Sequence, residues 1–353
     1  MNKKILILGI DSFEAKNISQ IKTMNAKGYI YSVFTNDLRG DSNKNFREIM
    51  HDNEIIIAEK SFIKRVLQFA ELLEFKLFHH VELYAAGRMT YYYLLICKIY
   101  GFKMIVVERG DIGHLHNHKI LNRIVIGLAY KVADLVWYKE PYMKKLILDY
   151  TNSNKLYFLP NAAPGVNKLR PFKLEIEFLW VNRFTKERCA DWLVKCLNDR
   201  CFEATESVIL GLQKVAHPYI LELQELVIEN NFNDKTKIEY FADPIDFYKR
   251  ARFFVLPAEA VFGNNSLLEA MSMGVVPIVS ETESTELIVK DGENGLVFEH
   301  TEEGLMKALK RAKAMVDTEW KILSENAKTT IEEQYSQEKW GDTCHEMYKK
   351  IQS

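Results

Sequence analysis

Cysteine, proline and glycine are all sparse in this 353-residue chain, with 5 Cys, 8 Pro and 16 Gly. No two cysteines form a CxxC pair, and Cys189, Cys196 and Cys201 lack the paired spacing of a zinc site. A disulfide scaffold is therefore excluded, and reduced thiols of a cytoplasmic protein are expected. Low Pro and Gly beside 48% hydrophobic and 12% aromatic residues exclude collagenous, low-complexity and disordered classes. Long apolar runs are missing too. The most apolar window, Tyr91 to Val107, is interrupted by Lys98 and Lys103 and broken at Gly101, short of the roughly 20 residues a membrane span needs. The opening Met1-Asn2-Lys3-Lys4 precedes an apolar run too short for a signal peptide, so it reads as a first strand. Net charge is scarcely there at -1.

That near-neutral sum conceals a division. Residues 1–165 carry 23 Lys and Arg against 16 Asp and Glu, whereas 166–353 carry 24 against 32. The basic first half favours an anionic partner, either a phosphate-bearing ligand or a membrane surface. Nucleic acid is not expected, because no basic stripe is interleaved with aromatics. The length suggests about two domains.

The pattern along the chain is strand, helix, strand, repeated. Lys4–Gly9, Tyr29–Thr35, Ile55–Ala58, Phe78–Tyr84 and Lys103–Val107 are apolar strand candidates, with helical patterns at Ser12–Lys27, Phe62–Phe75 and Thr90–Tyr100. A break at Leu159-Pro160-Asn161-Ala162-Ala163-Pro164-Gly165 marks a domain boundary. Beyond it, strands are expected at Phe178–Val181, Ser207–Leu210, Lys237–Phe241, Phe253–Leu256, Val275–Val279 and Gly295–Phe298. Helices are expected at Asp191–Leu197, Pro218–Asn230, Leu267–Met273 and Glu303–Met315. This alternation predicts an α/β protein of two doubly wound parallel sheets.

The densest chemical signal runs from Leu256 to Ser280. A strand ends at Pro257, a Gly/Asn turn follows (Gly263, Asn264, Asn265), and a helix begins near Ser266 and Leu267 with Glu269 one turn in. Unpaired N–H groups and the positive dipole end make such a turn a natural phosphate pocket. Glu269 could accept from a sugar or ribose hydroxyl pair. His114, His116 and His118 alternate as on one strand face, but no carboxylate pattern accompanies them, so a polar loop is the simpler reading and no metal is assigned. The apolar, aromatic stretch Phe62–Phe78 carries Lys64, Arg65 and Lys76; it fits packing on a sheet first and contact with a membrane second.

The Leu256–Ser280 segment resembles the signature of the retaining glycosyltransferase family 4, group 1 type. Three further segments resemble that family in order: Phe178-Leu179-Trp180-Val181-Asn182-Arg183-Phe184 with Arg188, Glu286 to Val297, and Lys155 to Asn161. The resemblance is strong after residue 155 and weaker before it. It implies a GT-B fold, two Rossmann-like domains facing each other across a cleft: 1–165 for the acceptor, 166–335 for a nucleotide-sugar donor, and 336–353 as a helix crossing back; in the stretch Gln334–Ser353, Tyr335, Trp340, Tyr348 and Ile351 would suit that docking. Carried over by position, Arg183 and Arg188 clamp the donor diphosphate, with Lys186 beside them. Gly263, Asn264, Asn265, Ser266 and Leu267 surround it, and Glu269 holds the ribose. The chain departs from the family in several places. Asn182 replaces the usual Gly before the Arg, and Arg188 replaces a Lys. Nine residues rather than seven separate Glu259 from Glu269. In the first domain the usual Gly-Gly falls on Asp11-Ser12, the usual His on Arg109, and Asp111 lies close by.

The expectation is a metal-independent, retaining transfer of a sugar from a UDP- or GDP-sugar to a saccharide or lipid-linked saccharide. Arg183, Arg188, Glu259, Arg109 and Asp111 are the candidate catalytic groups, and Asp11 and Ser12 lie on the acceptor side. By resemblance this belongs to bacterial-type surface polysaccharide building, in the cytoplasm or at the inner face of the plasma membrane, with no cofactor beyond the donor. Two alternatives stay open: a catalytically silent nucleotide-binding subunit that supports a partner enzyme, and another GT-B enzyme such as a nucleotide-sugar epimerase.

Overall fold

The computed structural model describes residues 3–9, 15–35, 54–74, 78–84, 88–108, 110, 112–113, 119–163, 173–212, 218–229, 235–240 and 242–352. The chain divides into two compact units, Met1–Pro164 with Gln337–Ser353, and Gly165–Ser336.

The first unit holds a seven-stranded sheet built from β1 (Lys3–Leu8), β2 (Tyr29–Thr35), β3 (Ile55–Ile57), β4 (His80–Leu83), β5 (Met104–Val107), β6 (Leu135–Tyr138) and β7 (Leu156–Phe158), in the order β3-β2-β1-β4-β5-β6-β7. Every pair is parallel. Parallel strands covered on both faces read as continuous apolar runs, and Ile5, Leu6, Ile7 and Leu8 are all buried for that reason. Helices α2 (Phe62–Glu74), α3 (Arg88–Ile99), α4 (Ile120–Val132) and α5 (Pro141–Ile147) pack on one face of the sheet, where Phe69, Leu94, Ile126 and Met143 join the core with Leu6 and Leu8. The opposite face takes α1 (Ala15–Ala26) and the last helix of the chain, α12 (Gln337–Lys350).

That last helix is tied down by chemistry as well as by packing. Trp340, Cys344, Met347 and Tyr348 are buried against Ile5, Ile7, Ile21 and Met24. The Tyr348 hydroxyl donates at 2.5 Å to the buried Glu82 carboxylate on β4, and the Tyr84 hydroxyl donates to its other oxygen at 2.9 Å. A polar group buried this deeply has to be hydrogen-bonded, and here two phenols donate to the two carboxyl oxygens. Tyr335 does not travel with α12. It closes the preceding helix, donates to the Leu287 carbonyl at 2.8 Å and packs on Phe262, all within the second unit.

The second unit holds a six-stranded parallel sheet of β8 (Ile176–Asn182), β9 (Ser207–Gly211), β10 (Thr236–Tyr240), β11 (Ala251–Leu256), β12 (Val276–Glu281) and β13 (Leu296–Glu299), in the order β10-β9-β8-β11-β12-β13. Its helices are α6 (Ala190–Leu197), α7 (Pro218–Glu229), α8 (Pro244–Arg250), α9 (Asn265–Ser272), α10 (Glu302–Ala314) and α11 (Asp317–Gln334). Chain order runs outward in one direction from β8 to β10 and in the other from β11 to β13, so the sheet reverses its winding between the neighbours β8 and β11. Two doubly wound parallel sheets are thus present, as the alternating pattern predicts. Several elements were absent from that reading: β6 with α4 and α5 on either side, α8, and α11.

Candidate functional site

In open α/β sheets the loops leaving the switch point diverge, which opens a crevice at the carboxyl ends of the strands. In the second unit those loops follow β8 and β11, and they carry most of the polar residues singled out in the sequence.

The β8 loop is shaped by two aromatics. Phe184 is fully buried and stacks on Trp180, with ring centroids 5.5 Å apart and planes 20° apart. It lies over Gly211 at the end of β9, where a Cβ would fall 1.8 Å from the ring. The Trp180 indole donates to the Arg188 carbonyl at 3.2 Å, so this aromatic pair fixes both the start and the end of the loop. Residues Lys186–Arg188 form one 3-10 turn, and Cys189 closes it in the left-handed region at φ 46°, strained for a residue with a Cβ. Burial, with Asp191, Glu259 and Glu187 nearby, pushes the Cys189 thiol up to about 11.

The β11 loop meets this turn directly. Glu259 N–H donates to the Glu187 carbonyl at 3.2 Å, and the Arg188 guanidinium donates to the Ala260 carbonyl at 3.1 Å. Arg183 is exposed at the end of β8, and its N–H donates to the Asn182 side-chain oxygen at 2.9 Å. The Glu187 carboxyl is held below its usual range, first by a backbone N–H, then by the Thr185 hydroxyl, with Arg188 and Arg183 adding to the effect. Both guanidinium groups therefore lie within electrostatic reach of one carboxylate. Lys186 points elsewhere: it pairs with Glu222 on α7, and its ammonium sits 4.4 Å from the Tyr219 ring centroid.

Past Glu259, which is exposed, the loop turns through Gly263 at φ 78° and starts α9. Asn264 is the N-cap; its side-chain oxygen accepts from Leu267 N–H at 3.1 Å, so that amide is satisfied within the protein. Asn265 is half-buried at the helix start, and Ser266 is buried. One turn on, the half-buried Glu269 carboxylate accepts from the Tyr248 hydroxyl at 3.2 Å. Tyr248 is fully buried on α8 and also shares a hydrogen bond with Ser266; burial, and then the Glu269 charge, raise its phenol well above the usual range.

Sequence reasoning did not find Tyr248, whose partner lies 21 positions away across two helices. A second residue gains a role here as well. Asn182 is the last residue of β8, 5% exposed, and its side-chain NH2 has no hydrogen-bond partner among the described residues. An orphaned buried donor is costly, and this one lies at the carboxyl edge of the sheet, next to Arg183 in the chain. Among the described residues no group of three or more His, Cys, Asp and Glu could hold a metal ion. Asp11, Ser12, Arg109, Asp111, His114, His116 and His118 lie outside the described residues. Buried Glu108, which follows β5, accepts from Gly110 N–H at 2.6 Å, from Ile112 N–H at 3.1 Å and from the Tyr130 hydroxyl.

Residues 175–314 match the family model for glycosyl transferases group 1. An uncharacterized glycosyltransferase of Methanocaldococcus jannaschii is 28% identical over 278 residues, 70% of this chain and 67% of that protein. The chain has the GT-B fold, and its second unit carries a region similar to the glycosyl transferases of group 1. Solved structures of this fold include a Rickettsia africae glycosyltransferase, with a TM-score of 0.79 at 14% identity over 100% of this chain and 99% of that one. The Anabaena protein HepE, in complex with UDP and glucose, has a TM-score of 0.78 at 14% identity over 99% of this chain and 100% of that one. At such identities the likeness concerns the fold, and it spans both units.

Proposed function

We propose that this protein is a glycosyltransferase that moves a sugar from a nucleoside-diphosphate sugar to a hydroxyl of a saccharide or lipid-linked saccharide, with retention of the anomeric configuration. The observation that carries the donor half of this reading is the join between the two switch-point loops, Arg188 on Ala260 and Glu259 on Glu187. It ties Arg188 to the loop that leads into α9, and Arg183 stands at the end of the neighbouring strand β8. As the bond from the anomeric carbon to the diphosphate breaks, negative charge grows on the departing oxygen. Guanidinium groups and helix amides fixed in advance stabilise that charge without reorganising. The charge is then met by side chains and backbone, with no metal assigned. Asn182 supplies a further N–H to the diphosphate. Glu269, steadied by Tyr248, accepts from the ribose hydroxyls, and Asn264 and Glu259 stand on the sugar side.

Of UDP and GDP, UDP is the preferred donor nucleotide, supported by the UDP, UDP-glucose and UDP-plus-glucose complexes of HepE. Retention, the hexosyl or N-acetylhexosaminyl character of the donor, the acceptor class and a role in surface glycan building rest on the family resemblance. Asp11, Ser12, Arg109 and Asp111 remain the proposed acceptor-side groups.

A thermal-shift panel of UDP, GDP, ADP and CMP tests the donor reading, because a ligand at 100 times its Kd stabilises by about 2.7 kcal/mol. A shift with UDP that Arg188→Ala and Glu269→Ala both abolish is the expected result. No shift with any nucleotide refutes the donor site. Release of UDP from a UDP-sugar by the purified chain then separates a working enzyme from a silent subunit.

A further inference from the structure

The outer surface of α2, α3 and α4 is unusually apolar for a face turned to solvent. These helices bury Phe69, Leu94 and Ile126 inward, yet they also expose Ile63 and Leu67 on α2, Leu95 and Ile99 on α3, and Ile120 and Ile124 on α4. Ile63, Ile99 and Ile120 are 69%, 80% and 75% exposed. The set is continuous. The Phe62 ring meets Tyr92 edge-on at 5.0 Å across α2 and α3, and α3 packs along α4. On α3 the exposed residues Tyr92, Leu95 and Ile99 recur at the three- and four-residue spacing of one helical stripe. Singly exposed aliphatics are ordinary, but a contiguous patch of them marks a binding surface.

The charges decide what binds there. α3 and α4 contain no acidic residue, and the exposed cations Lys64, Lys98, Lys119 and Arg123 stand among the aliphatic side chains. The exposed acids nearby, Glu59, Glu71 and Glu74, lie on or just before α2. Protein interfaces favour aromatics and Arg and disfavour Lys, whereas Ile and Leu interspersed with Lys suit an anionic lipid surface, which takes the aliphatic tips among its acyl chains and the ammonium groups among its head groups. No helix among the described residues is long and apolar enough to cross a membrane. We infer that the α2–α3–α4 face docks this protein on the surface of a bilayer containing anionic lipid. The inference stands on exposure and charge and is independent of the donor site.

The test is cosedimentation of the full chain with vesicles of phosphatidylcholine alone or mixed with phosphatidylglycerol. Binding to the mixed vesicles is expected to exceed binding to phosphatidylcholine by about tenfold or more and to weaken as salt is raised. Lys64→Gln with Lys98→Gln and Arg123→Gln should remove the salt-sensitive part. Leu95→Ser with Ile99→Ser and Ile124→Ser should abolish partitioning while leaving the melting temperature and any UDP-induced shift unchanged. Absence of binding to mixed vesicles, or binding undiminished in the serine variant, overturns the inference. So does a concentration-dependent dimer in sedimentation velocity that the serine variant dissolves, which would assign the face to a second copy of the chain.

Discussion

Replacing Gly211 by Ala tests how the Arg183–Arg188 loop is held. The added Cβ would fall 1.8 Å from Cε2, 2.4 Å from Cδ2 and 2.7 Å from Cζ of Phe184. Ordinary contact between carbons needs about 3.5–4.0 Å, so the ring must retreat by roughly 2 Å. Phe184 is fully buried and already stacked on Trp180, which leaves the loop itself as the part that yields. Overpacking of this kind costs about 1–3 kcal/mol, and the site belongs at the upper end. For a domain of 150–250 residues that is a fall in Tm of roughly 4–12 °C. Because Phe184 sits between Arg183 and Arg188, nucleotide affinity should fall as well. Differential scanning calorimetry of Gly211→Ala, Phe184→Leu and the double variant forms a cycle in which the smaller side chain recovers part of the loss. A Gly211→Ala protein with unchanged Tm, or strict additivity in the double variant, would refute the account of this loop.

Three further outcomes are expected. Tyr248→Phe removes the hydroxyl that Glu269 accepts from, so it should lower stability by about 1 kcal/mol and nucleotide affinity several-fold, measured by denaturant unfolding and titration; unchanged affinity would remove Glu269 from the site. Asn264→Ala strips the N-cap of α9 and should destabilise by roughly 1 kcal/mol, with Asn264→Ser recovering most of it and Asn264→Ala indistinguishable from wild type arguing against the cap. His79 is pulled from 6.5 down to about 4 by burial, with His80 and Lys3 adding to the effect. The unfolded chain takes up that proton near 6.5 and the folded chain only near 4, so the unfolded state binds more protons in this window and stability should drop as pH falls through it. Thermal unfolding at stepped pH, with a shallower slope in His79→Gln, checks this; identical slopes contradict it.

Legibility from sequence followed burial. Strands such as β1, β8 and β11 are buried on both faces, so their apolar runs announce them. α4 escapes because Ile120, Leu121 and Ile124 are exposed while Val125 and Ile126 are buried, which leaves little contrast between its faces, and the four-residue β6 is too short to stand out beside it. α11 escapes for the opposite reason: in eighteen mostly polar residues only Leu323, Ala327 and Ile331 are buried. α8 did carry a signal, Asp243 capping Ile245 with Pro244 at the first helical position, and it is the helix that supplies Tyr248. Within the candidate site, position along the chain pointed to Arg183, Arg188 and Glu269. What joins them could not be read there, because the Arg188 bond to Ala260 spans 72 residues and the Glu269 bond to Tyr248 spans 21. Such pairings depend on which strands become neighbours, and the apolar pattern alone leaves that order open.

The most direct measurement is a calorimetric titration of UDP into the wild-type chain and into Arg188→Ala. Wild type should bind one UDP per chain, and the variant should bind about 10- to 100-fold more weakly, the loss expected when a charge-assisted hydrogen bond worth roughly 1.5–3 kcal/mol is removed. Equal affinity in the two proteins, or no heat of binding in either, would contradict a diphosphate site at the β8–β11 switch point.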